Sequence, residues 1–379
     1  MFEKVISFIQ DKFSTREFIP LHAPVFSGNE RKYVLDTLDS TFVSSVGAYV
    51  DLSEKMMSDF CQSKKAIAVV NGTSGLQIAL QLAGVKTGDE VLTQALTFVA
   101  TANAINYVGA EPVFLDVDYD TMGLSPKSVS NFLDEFAEIR ENGTYNKKTG
   151  KKISACIPMH TFGFPVHLDE LTEVCNIWNI TIVEDAAEAL GSLYKGKHAG
   201  SFGKLGVFSF NGNKIVTCGG GGMILTNDES LGTKGKHITT TAKVPHPFEY
   251  VHNMVGYNFR LPNLNAAMIC GQLEQLESFV INKRQLAKEY SDYFQTIGLK
   301  FRNENENTRA NYWLMCVELE DLNERNDFLK VTNDAKTMTR PIWQLMYRSP
   351  MYKHCYRDDQ KNANFLEERI VNIPSSVRQ

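Results

Sequence analysis

The stretch of sequence that most constrains the fold runs from residue 208 to residue 222 and reads FSFNGNKIVTCGGGG. It begins with the apolar alternation of a strand, contains one lysine, Lys214, and ends in four consecutive glycines. Because glycine has no side chain, the backbone here can turn sharply and approach a bound ligand closely. A lysine shielded from water in such a setting loses its proton more readily and becomes a nucleophile. The stretch predicts a reactive lysine beside a ligand, although a lysine after a strand is more often a solvated surface residue.

Carboxylates end a second predicted strand, Ile182-Val183-Glu184-Asp185, and Glu188 follows three residues later. A lysine and a carboxylate at strand ends are the two groups that a pyridoxal phosphate site needs. The lysine forms a Schiff base with the aldehyde, and the carboxylate keeps the pyridinium nitrogen protonated so that the ring can accept electrons. Taken alone, an Asp-Ala-Ala-Glu segment is most often a capped helix start. Its combination with Lys214 favours pyridoxal phosphate chemistry.

Two groups of hydrogen-bond donors are candidates for holding a phosphate. The first is the turn 71–74 (Asn-Gly-Thr-Ser), where a strand meets a helix N-terminus that attracts anions. The second is Ser209 with Asn211, just before Lys214. The glycines themselves do not form a P-loop, because the order G-x-x-x-x-G-K-[ST] is absent. Phe98 is a candidate for stacking on a flat ring, although most such phenylalanines are simply core.

Strand-like and helix-like segments alternate from residue 64 onwards. Strands are predicted at 66–70, 90–93, 112–116, 153–159, 181–184, 207–210 and 223–226, and helices at 1–15, 31–38, 76–83, 98–107 and 168–176. This alternation predicts an α/β fold with a mainly parallel sheet covered on both faces. The polar segment 137–152 is expected to be an exposed loop or hairpin. One long helical pattern from residue 262 to about 293 leads into a C-terminal region with a strand at 313–319.

Composition narrows the function classes. A chain of 379 residues fits a large domain plus a smaller one. A net charge of -5 without a long basic run argues against nucleic-acid binding. Seven scattered cysteines without a C-x-x-C pair indicate neither a disulfide framework nor a zinc site, and no metal is expected. No apolar run reaches membrane-spanning length and the first residues do not resemble a signal peptide, so no membrane contact and a cytoplasmic location are expected.

The order and spacing of these motifs resemble the DegT/DnrJ/EryC1/StrS aminotransferases, pyridoxal phosphate enzymes of the aspartate aminotransferase fold (fold type I) that act on nucleotide-linked keto-sugars. The resemblance covers residues 20–375, and its blocks are 70–74, 95–101, 184–191, 208–223 and 256–267. It implies a helical extension over residues 1–20, a large cofactor-binding domain over 21–264 with a seven-stranded, mainly parallel sheet, and a smaller C-terminal α/β domain over 265–379.

The resemblance also implies roles for individual residues. Lys214 corresponds to the Schiff-base lysine, and Asp185 to the acid that binds the pyridine nitrogen. Glu188 stands where the family usually carries Gln or His near the ring hydroxyl. The other implied cofactor contacts are Thr73, Ser74 and Ser209 at the phosphate, Phe98 on the ring, and Asn258, which reaches the phosphate from the neighbouring subunit. The last of these implies a homodimer with shared active sites.

A weaker resemblance points to the subgroup that makes 4-amino sugars on UDP-GlcNAc derivatives, as in the legionaminic acid and bacillosamine pathways. The segments that carry it are residues 19–30, 40–47, 94–98 and 339–343. They imply substrate contacts from a further set of residues, namely Ser44, His160, Arg340 and Trp343. The implied reaction converts a UDP-2-acetamido-2,6-dideoxy-4-keto-hexose to the UDP-4-amino sugar with L-glutamate as amino donor. An equally plain reading of the tryptophan is that it packs the small domain.

Other functions remain as alternatives. A dTDP- or GDP-linked keto-sugar would leave the chemistry unchanged. A deoxysugar dehydratase of the same fold replaces the active lysine with histidine, and Lys214 argues against it. A non-catalytic regulator with this fold is disfavoured by the intact pair of Lys214 and Asp185. A dinucleotide-binding oxidoreductase is disfavoured because no G-x-G-x-x-G follows the first strand.

Overall fold

The computed structural model describes residues 1–378, which form helices and strands in the predicted alternation. The helices are α1 (Phe2–Lys12), α2 (Glu30–Asp39), α3 (Ala48–Cys61), α4 (Gly72–Leu82), α5 (Val99–Tyr107), α6 (Pro126–Phe136), α7 (Leu168–Ile177), α8 (Glu229–Thr239), α9 (Asn263–Leu273), α10 (Leu276–Thr296), α11 (Leu322–Asp334) and α12 (Lys361–Glu367). The strands are β1 (Lys65–Val69), β2 (Glu90–Gln94), β3 (Glu111–Leu115), β4 (Ala137–Arg140), β5 (Gly143–Asn146), β6 (Ile153–Ile157), β7 (Thr181–Asp185), β8 (Leu193–Tyr194), β9 (Lys197–His198), β10 (Leu205–Ser209), β11 (Gly222–Thr226), β12 (Lys243–Val244), β13 (Val251–His252), β14 (Lys300–Phe301), β15 (Thr308–Arg309), β16 (Met315–Glu318), β17 (Arg340–Pro341) and β18 (Ile370–Ile373).

The central sheet has seven strands in the order β1-β11-β10-β7-β6-β2-β3. Strand β11 runs antiparallel to both of its neighbours, and every other pairing in the sheet is parallel. The expectation of an α/β fold with a mainly parallel sheet is therefore confirmed. Because parallel strands end at the same edge, the residues that follow β1, β7 and β10 meet at one edge of the sheet.

Helix α4 shows how the local sequence sets the distance between a helix and the sheet. Its N-cap, Asn71, accepts a hydrogen bond from the Ser74 N–H at 2.8 Å, which fixes where the helix begins. A side chain at Gly75 would place a Cβ 2.8 Å from Val207 of β10, closer than atoms pack. The glycine therefore lets α4 lie directly on the strand that precedes the lysine loop.

The long helical pattern after residue 262 is the clearest difference from expectation, because it forms two helices, α9 and α10. The chain bends at Glu274 and Gln275, and both side chains are held by the N-terminal region. Tyr33 donates to Glu274 at 2.5 Å, and Gln275 donates to Glu30 at 2.7 Å. Helix α9 packs against α2 and α3, so it belongs with the helices that cover the sheet. The polar segment 137–152 forms the predicted hairpin, with strands β4 and β5.

The start of the chain is attached to the C-terminal region. The Phe2 ring meets Phe328 of α11 edge-on at 5.2 Å, and Phe8 stacks on Tyr293 of α10 at 3.9 Å. Farther along, the Ser375 N–H donates to the Leu21 carbonyl at 2.8 Å. The domain limits 1–20, 21–264 and 265–379 stay a prediction: the two aromatic contacts join the first range to the third, and the bond to Leu21 joins the second range to the third.

The cysteine side chains are all buried, and over residues 1–378 each is a free thiol. In the same range, no helix combines the length and the apolar character that crossing a membrane requires.

Candidate active site

A cavity of about 630 Å³ opens at the carboxyl edge of the sheet, facing the C-terminal region. It brings together eight of the twelve predicted site residues: Thr73, Phe98, Asp185, Glu188, Ser209, Lys214, Arg340 and Trp343. The other four, Ser44, Ser74, His160 and Asn258, lie outside its lining. Residues from separate strand ends and from the C-terminal region therefore converge on one space.

One end of the cavity is built from backbone. A Cβ on Gly222 would lie 2.7 Å from the carbonyl carbon of Asn71, so β11 passes directly against the turn before α4. A Cβ on Gly72 would likewise lie 3.0 Å from the Ser209 side chain. The first N–H groups of an α-helix have no partner within the helix, and the helix dipole makes this end positive. With the hydroxyls of Thr73 and Ser209 on the lining, this end has the donors that a phosphate requires.

Ser74 takes part in this turn differently from Thr73. Its backbone N–H is used by the Asn71 cap, and its side chain is not part of the cavity lining. Its expected contact with the phosphate stays a prediction.

The loop after β10 holds Lys214 at the centre of the cavity. Its conformation is fixed from two sides: Trp313 donates its indole N–H to the Asn213 carbonyl at 2.7 Å, and Asn265 donates to the Cys218 carbonyl at 2.7 Å. The Lys214 side chain is only 12% exposed. Its amine lies 3.2 Å from Glu188 Oε1 and 3.9 Å from the centre of the Trp313 ring. The lysine is therefore shielded from water, as its sequence context predicts.

Asp185 is the last residue of β7 and is 3% exposed. Thr101 donates its hydroxyl to Oδ2 at 2.7 Å, and the Ala187 N–H donates to Oδ1 at 3.2 Å. Burial raises the pKa of Asp185, and the bonds from Thr101 and Ala187 and the charge of Lys214 oppose that rise. A carboxylate can accept about four hydrogen bonds, so Asp185 keeps capacity for one more donor in the cavity. That is the property needed to bind a pyridinium N–H.

Glu188 lies beside the Lys214 amine and is 4% exposed. Its Oε2 accepts a hydrogen bond from the Phe162 N–H at 2.9 Å, while Oε1 faces Lys214. Burial raises the pKa of Glu188, and the nearby lysine charge lowers it. The carboxylate is thus a partner of the amine, and its expected place near the ring hydroxyl of the cofactor stays a prediction.

The neighbouring acid on β7, Glu184, points away from the cavity and organises a loop. It accepts hydrogen bonds from the backbone N–H groups of Gly200, Phe202 and Gly203 at 2.6 to 2.7 Å. His160 is fully buried beside it, with Nε2 3.0 Å from Glu184 Oε2. This position gives no support to the predicted contact of His160 with a substrate, which stays a prediction.

The mouth of the cavity is aromatic and cationic. Phe98 is 51% exposed, and its ring centre lies 6.5 Å from that of Trp343. Trp343 also packs on Phe162 at 4.9 Å, and its predicted contact with a substrate stays a prediction. Arg340 is exposed, and it donates to the Thr339 carbonyl at 2.9 Å. The mouth therefore offers flat rings and one guanidinium to a ligand.

Ser44 and Asn258 are both exposed and lie away from this cavity. The Ser44 carbonyl accepts a hydrogen bond from Asn263 at the start of α9. Asn258 pairs with Thr240 in an isolated bridge after α8. The predicted contact of Ser44 with a substrate and that of Asn258 with the cofactor phosphate of a neighbouring subunit stay predictions.

The sequence interpretation missed two residues that contact the site residues directly. The centre of the Trp313 ring lies 3.9 Å from the Lys214 amine, but Trp313 is 99 positions away from Lys214 in the sequence. No local sequence pattern connects the two residues. Thr101, in the 95–101 block, donates its hydroxyl to Asp185. Within that block the family resemblance implies a role for Phe98 alone. Thr101 stands one helical turn after Phe98, the predicted ring-stacking residue, and this spacing is the feature of the sequence that points to it.

Comparisons with known proteins agree with this geometry. The sequence pattern of the DegT/DnrJ/EryC1/StrS aminotransferase family matches residues 25–378. The chain is 34% identical to the GDP-perosamine synthase of Escherichia coli O157:H7 over 361 residues, which cover 95% of this chain and 93% of that protein. It is also 34% identical to the GDP-perosamine synthase of Caulobacter vibrioides, over 94% of this chain and 93% of the relative.

Solved structures show the same fold. The aminotransferase TlmJ from Streptoalloteichus hindustanus superimposes with a TM-score of 0.85 at 24% identity, over 94% of this chain and 93% of that one. This likeness confirms the expected fold type I architecture. The family match and the fit of Lys214, Asp185 and the α4 N-terminus confirm the expected cofactor, pyridoxal 5'-phosphate. The chain belongs to the DegT/DnrJ/EryC1/StrS aminotransferase family.

Proposed function

We propose that this protein transfers an amino group from L-glutamate to the C4 ketone of a nucleotide-linked 6-deoxy sugar. The observation that carries the proposal is the convergence of Lys214, Asp185 and the α4 N-terminus on one cavity whose mouth contains Arg340 and Trp343. The first three groups suit the cofactor. The last two suit a nucleotide diphosphate, because a guanidinium pairs with phosphate oxygens and an indole covers a flat base.

The chain's own residues have distinct tasks in this reaction. Pyridoxal phosphate, when bound, supplies an aldehyde and an electron-accepting ring. Asp185 would hold the proton on the ring nitrogen. Lys214 would hold the aldehyde, and its free amine would be the group that moves a proton to and from the carbon of the donor or the sugar that carries the amine. Trp313 and Glu188 hold the released amine within the cavity, since they already contact it at 3.9 and 3.2 Å.

The preferred nucleotide in this proposal is guanosine diphosphate. Two relatives that align over nearly the whole chain are named GDP-perosamine synthases, and this supports a GDP-linked 4-keto-6-deoxy sugar. The second candidate is the UDP-linked 2-acetamido-4-keto sugar of the legionaminic acid and bacillosamine type, which residues 19–30, 40–47 and 339–343 favour. Both candidates use the same chemistry and differ only in what the cavity mouth recognises.

The proposed active unit is a homodimer with shared sites. Exposed apolar side chains crowd the segment from β12 to Gly256, where Phe248 is 92%, Tyr250 83% and Val255 86% exposed. An apolar patch of this kind favours association with another surface. Asn258 follows directly, so a second copy covering the patch would bring this amide towards a neighbouring cavity.

A panel of GDP-, UDP- and dTDP-linked 4-keto-6-deoxy sugars, each incubated with glutamate, tests the proposal. Mass spectrometry should show a 4-amino product, with the largest kcat/KM for the GDP-linked sugar. A wide preference for a UDP-linked N-acetyl sugar would favour the second candidate. Failure to aminate any keto-sugar, with glutamate still consumed against a simple keto acid, would refute the sugar substrate and leave the aminotransferase chemistry intact.

A further inference from the structure

Thr101 is a completely buried residue that no motif assigns to the reaction. It lies in the first turn of α5, the helix that begins directly after Phe98. Its hydroxyl is 2.7 Å from Asp185 Oδ2, although the two residues are 84 positions apart. The same helical turn therefore carries the ring-stacking candidate and a donor to the acid that binds the ring nitrogen.

A second hydroxyl gives this hydrogen bond a direction. Thr97 Oγ1 lies 2.7 Å from Thr101 Oγ1, and it is also buried. A hydroxyl has one hydrogen, and an ionised carboxylate can only accept. Thr101 must then donate to Asp185 and accept from Thr97, which gives the one-way chain Thr97 to Thr101 to Asp185. Hydrogen bonds in such a chain strengthen one another in a buried setting.

This chain of hydrogen bonds ends on the Asp185 carboxylate, whose charged form is disfavoured by burial. Lys214 and His160 also favour the charged form of Asp185, while the nearby Glu188 carboxylate adds a like charge. Among these groups, Thr101 is the side chain that contacts an Asp185 oxygen directly. The Thr101 hydroxyl occupies one acceptor position on Oδ2, and the remaining lone pair of that oxygen can accept from another donor.

We propose that Thr101 is a positioning residue, which keeps the Asp185 carboxylate ionised and oriented for the ring nitrogen of the cofactor. The inference rests on the aminotransferase chemistry proposed above but not on the identity of the sugar. Because Thr101 does not touch the reacting atoms, its effect is exerted through the proton on that nitrogen.

The test uses the holoenzyme reconstituted with pyridoxal phosphate labelled with ¹⁵N in the ring, without substrate. The ¹⁵N chemical shift distinguishes a protonated from an unprotonated pyridine nitrogen. In Thr101→Val, which keeps the shape and removes the hydroxyl, the signal should move towards the unprotonated value, and kcat should fall about tenfold as one hydrogen bond to a charged group is lost. Thr101→Ser should keep the wild-type signal and a rate within about threefold of wild type.

Thr226→Val is the matched control. Thr226 is also buried, and it donates to the Lys204 carbonyl at 2.9 Å, but it pairs with Lys65 at the opposite end of β1 from the cavity. This variant should lose stability without moving the ¹⁵N signal. A loss of activity that came only from weakened packing would affect both variants alike.

A wild-type ¹⁵N signal in Thr101→Val would overturn the proposal, whatever its rate. If Thr101→Val does not retain cofactor, Thr97→Val decides instead, because it removes the donor behind Thr101 and should move the signal in the same direction by a smaller amount. An unmoved signal there would equally overturn the proposal. Since the signal is read without a sugar, an incorrect sugar assignment would change the substrate panel and leave this result unaffected.

Discussion

The two halves of the cavity are built in different ways. The cofactor half is buried: Asp185, at a strand end of the central sheet, is 3% exposed, and Trp313, from the C-terminal region, is 4% exposed. The substrate half lies at the mouth, where Arg340 is exposed. Asp185 in the first half is fixed by hydrogen bonds from Thr101 and Ala187, whereas Arg340 in the second half is exposed and can reach a ligand in solution. Changes in the buried half should therefore affect the chemistry, and changes at the mouth should affect which sugar binds.

The largest effect is expected for Lys214→Ala. Turnover should fall by at least about 1,000-fold, because the amine is both the nucleophile and the group that moves the proton. Cofactor should still bind through the phosphate and ring contacts. Borohydride reduction of the wild type, followed by peptide mass spectrometry, should find the label on Lys214. A label on a different lysine would contradict the assignment of the chemistry to the buried half of the cavity. Lys195→Ala, which changes an exposed lysine, is the control.

Asp185→Asn should lower turnover by about 100-fold or more, because an amide cannot stabilise the pyridinium charge. The fold should survive, since the amide oxygen can still accept from Thr101. The adjacent Glu184→Gln is a sharp control, because Glu184 accepts three backbone N–H groups and faces away from the cavity. That variant should melt at a lower temperature yet keep its rate per folded molecule. A wild-type rate in Asp185→Asn would contradict the assignment.

Arg340→Met tests the exposed half. KM for the nucleotide sugar should rise about tenfold while kcat changes less than about threefold, since a charge-assisted bond to the diphosphate is lost and the chemistry is untouched. Arg348→Met removes an arginine of similar exposure that pairs with Glu367 instead, and it should leave KM unchanged. The comparison between the two halves would fail if Arg340→Met lowered kcat and spared KM.

Mixed dimers give the smallest but most direct signal. Lys214→Ala and Asn258→Ala subunits, each nearly inactive alone, should recover about a quarter of wild-type activity on mixing, because half of the dimers are mixed and each has one intact site. Subunit exchange followed by activity assay measures this. Absence of any recovery, or a fully active monomer in sedimentation, would place the whole site within one chain.

The sequence predicts the buried half of the site better than the mouth. Lys214, Asp185 and the turn before α4 each stand at the end of a strand with a clear apolar pattern, so their convergence follows from the parallel sheet. Trp313 has no such link to the lysine. The break between α9 and α10 was also missed, because it depends on side-chain bonds to α2 rather than on a helix-breaking residue.

Three helices covering the sheet were missed although two carry readable start signals. Helix α6 follows a Ser125 cap with proline at its first position, and α8 follows an Asp228 cap. Helix α3 begins after Gly47 without a side-chain cap, so its start left little local signal. Apolar periodicity alone was therefore a weaker guide than capping in these segments.

Contacts between α1 and the last residues of the chain have a consequence for biosynthesis. Lys12 and Arg378 both pair with Glu289 of α10, at 3.0 and 2.8 Å, so residues from distant parts of the sequence meet on one side chain. At a translation rate of about 5 to 20 residues per second, the partners of α1 leave the ribosome roughly 15 to 70 seconds after it does. The apolar face of the first helix stays uncovered during that interval. Helix α1 is therefore synthesised well before the segments that complete its native contacts.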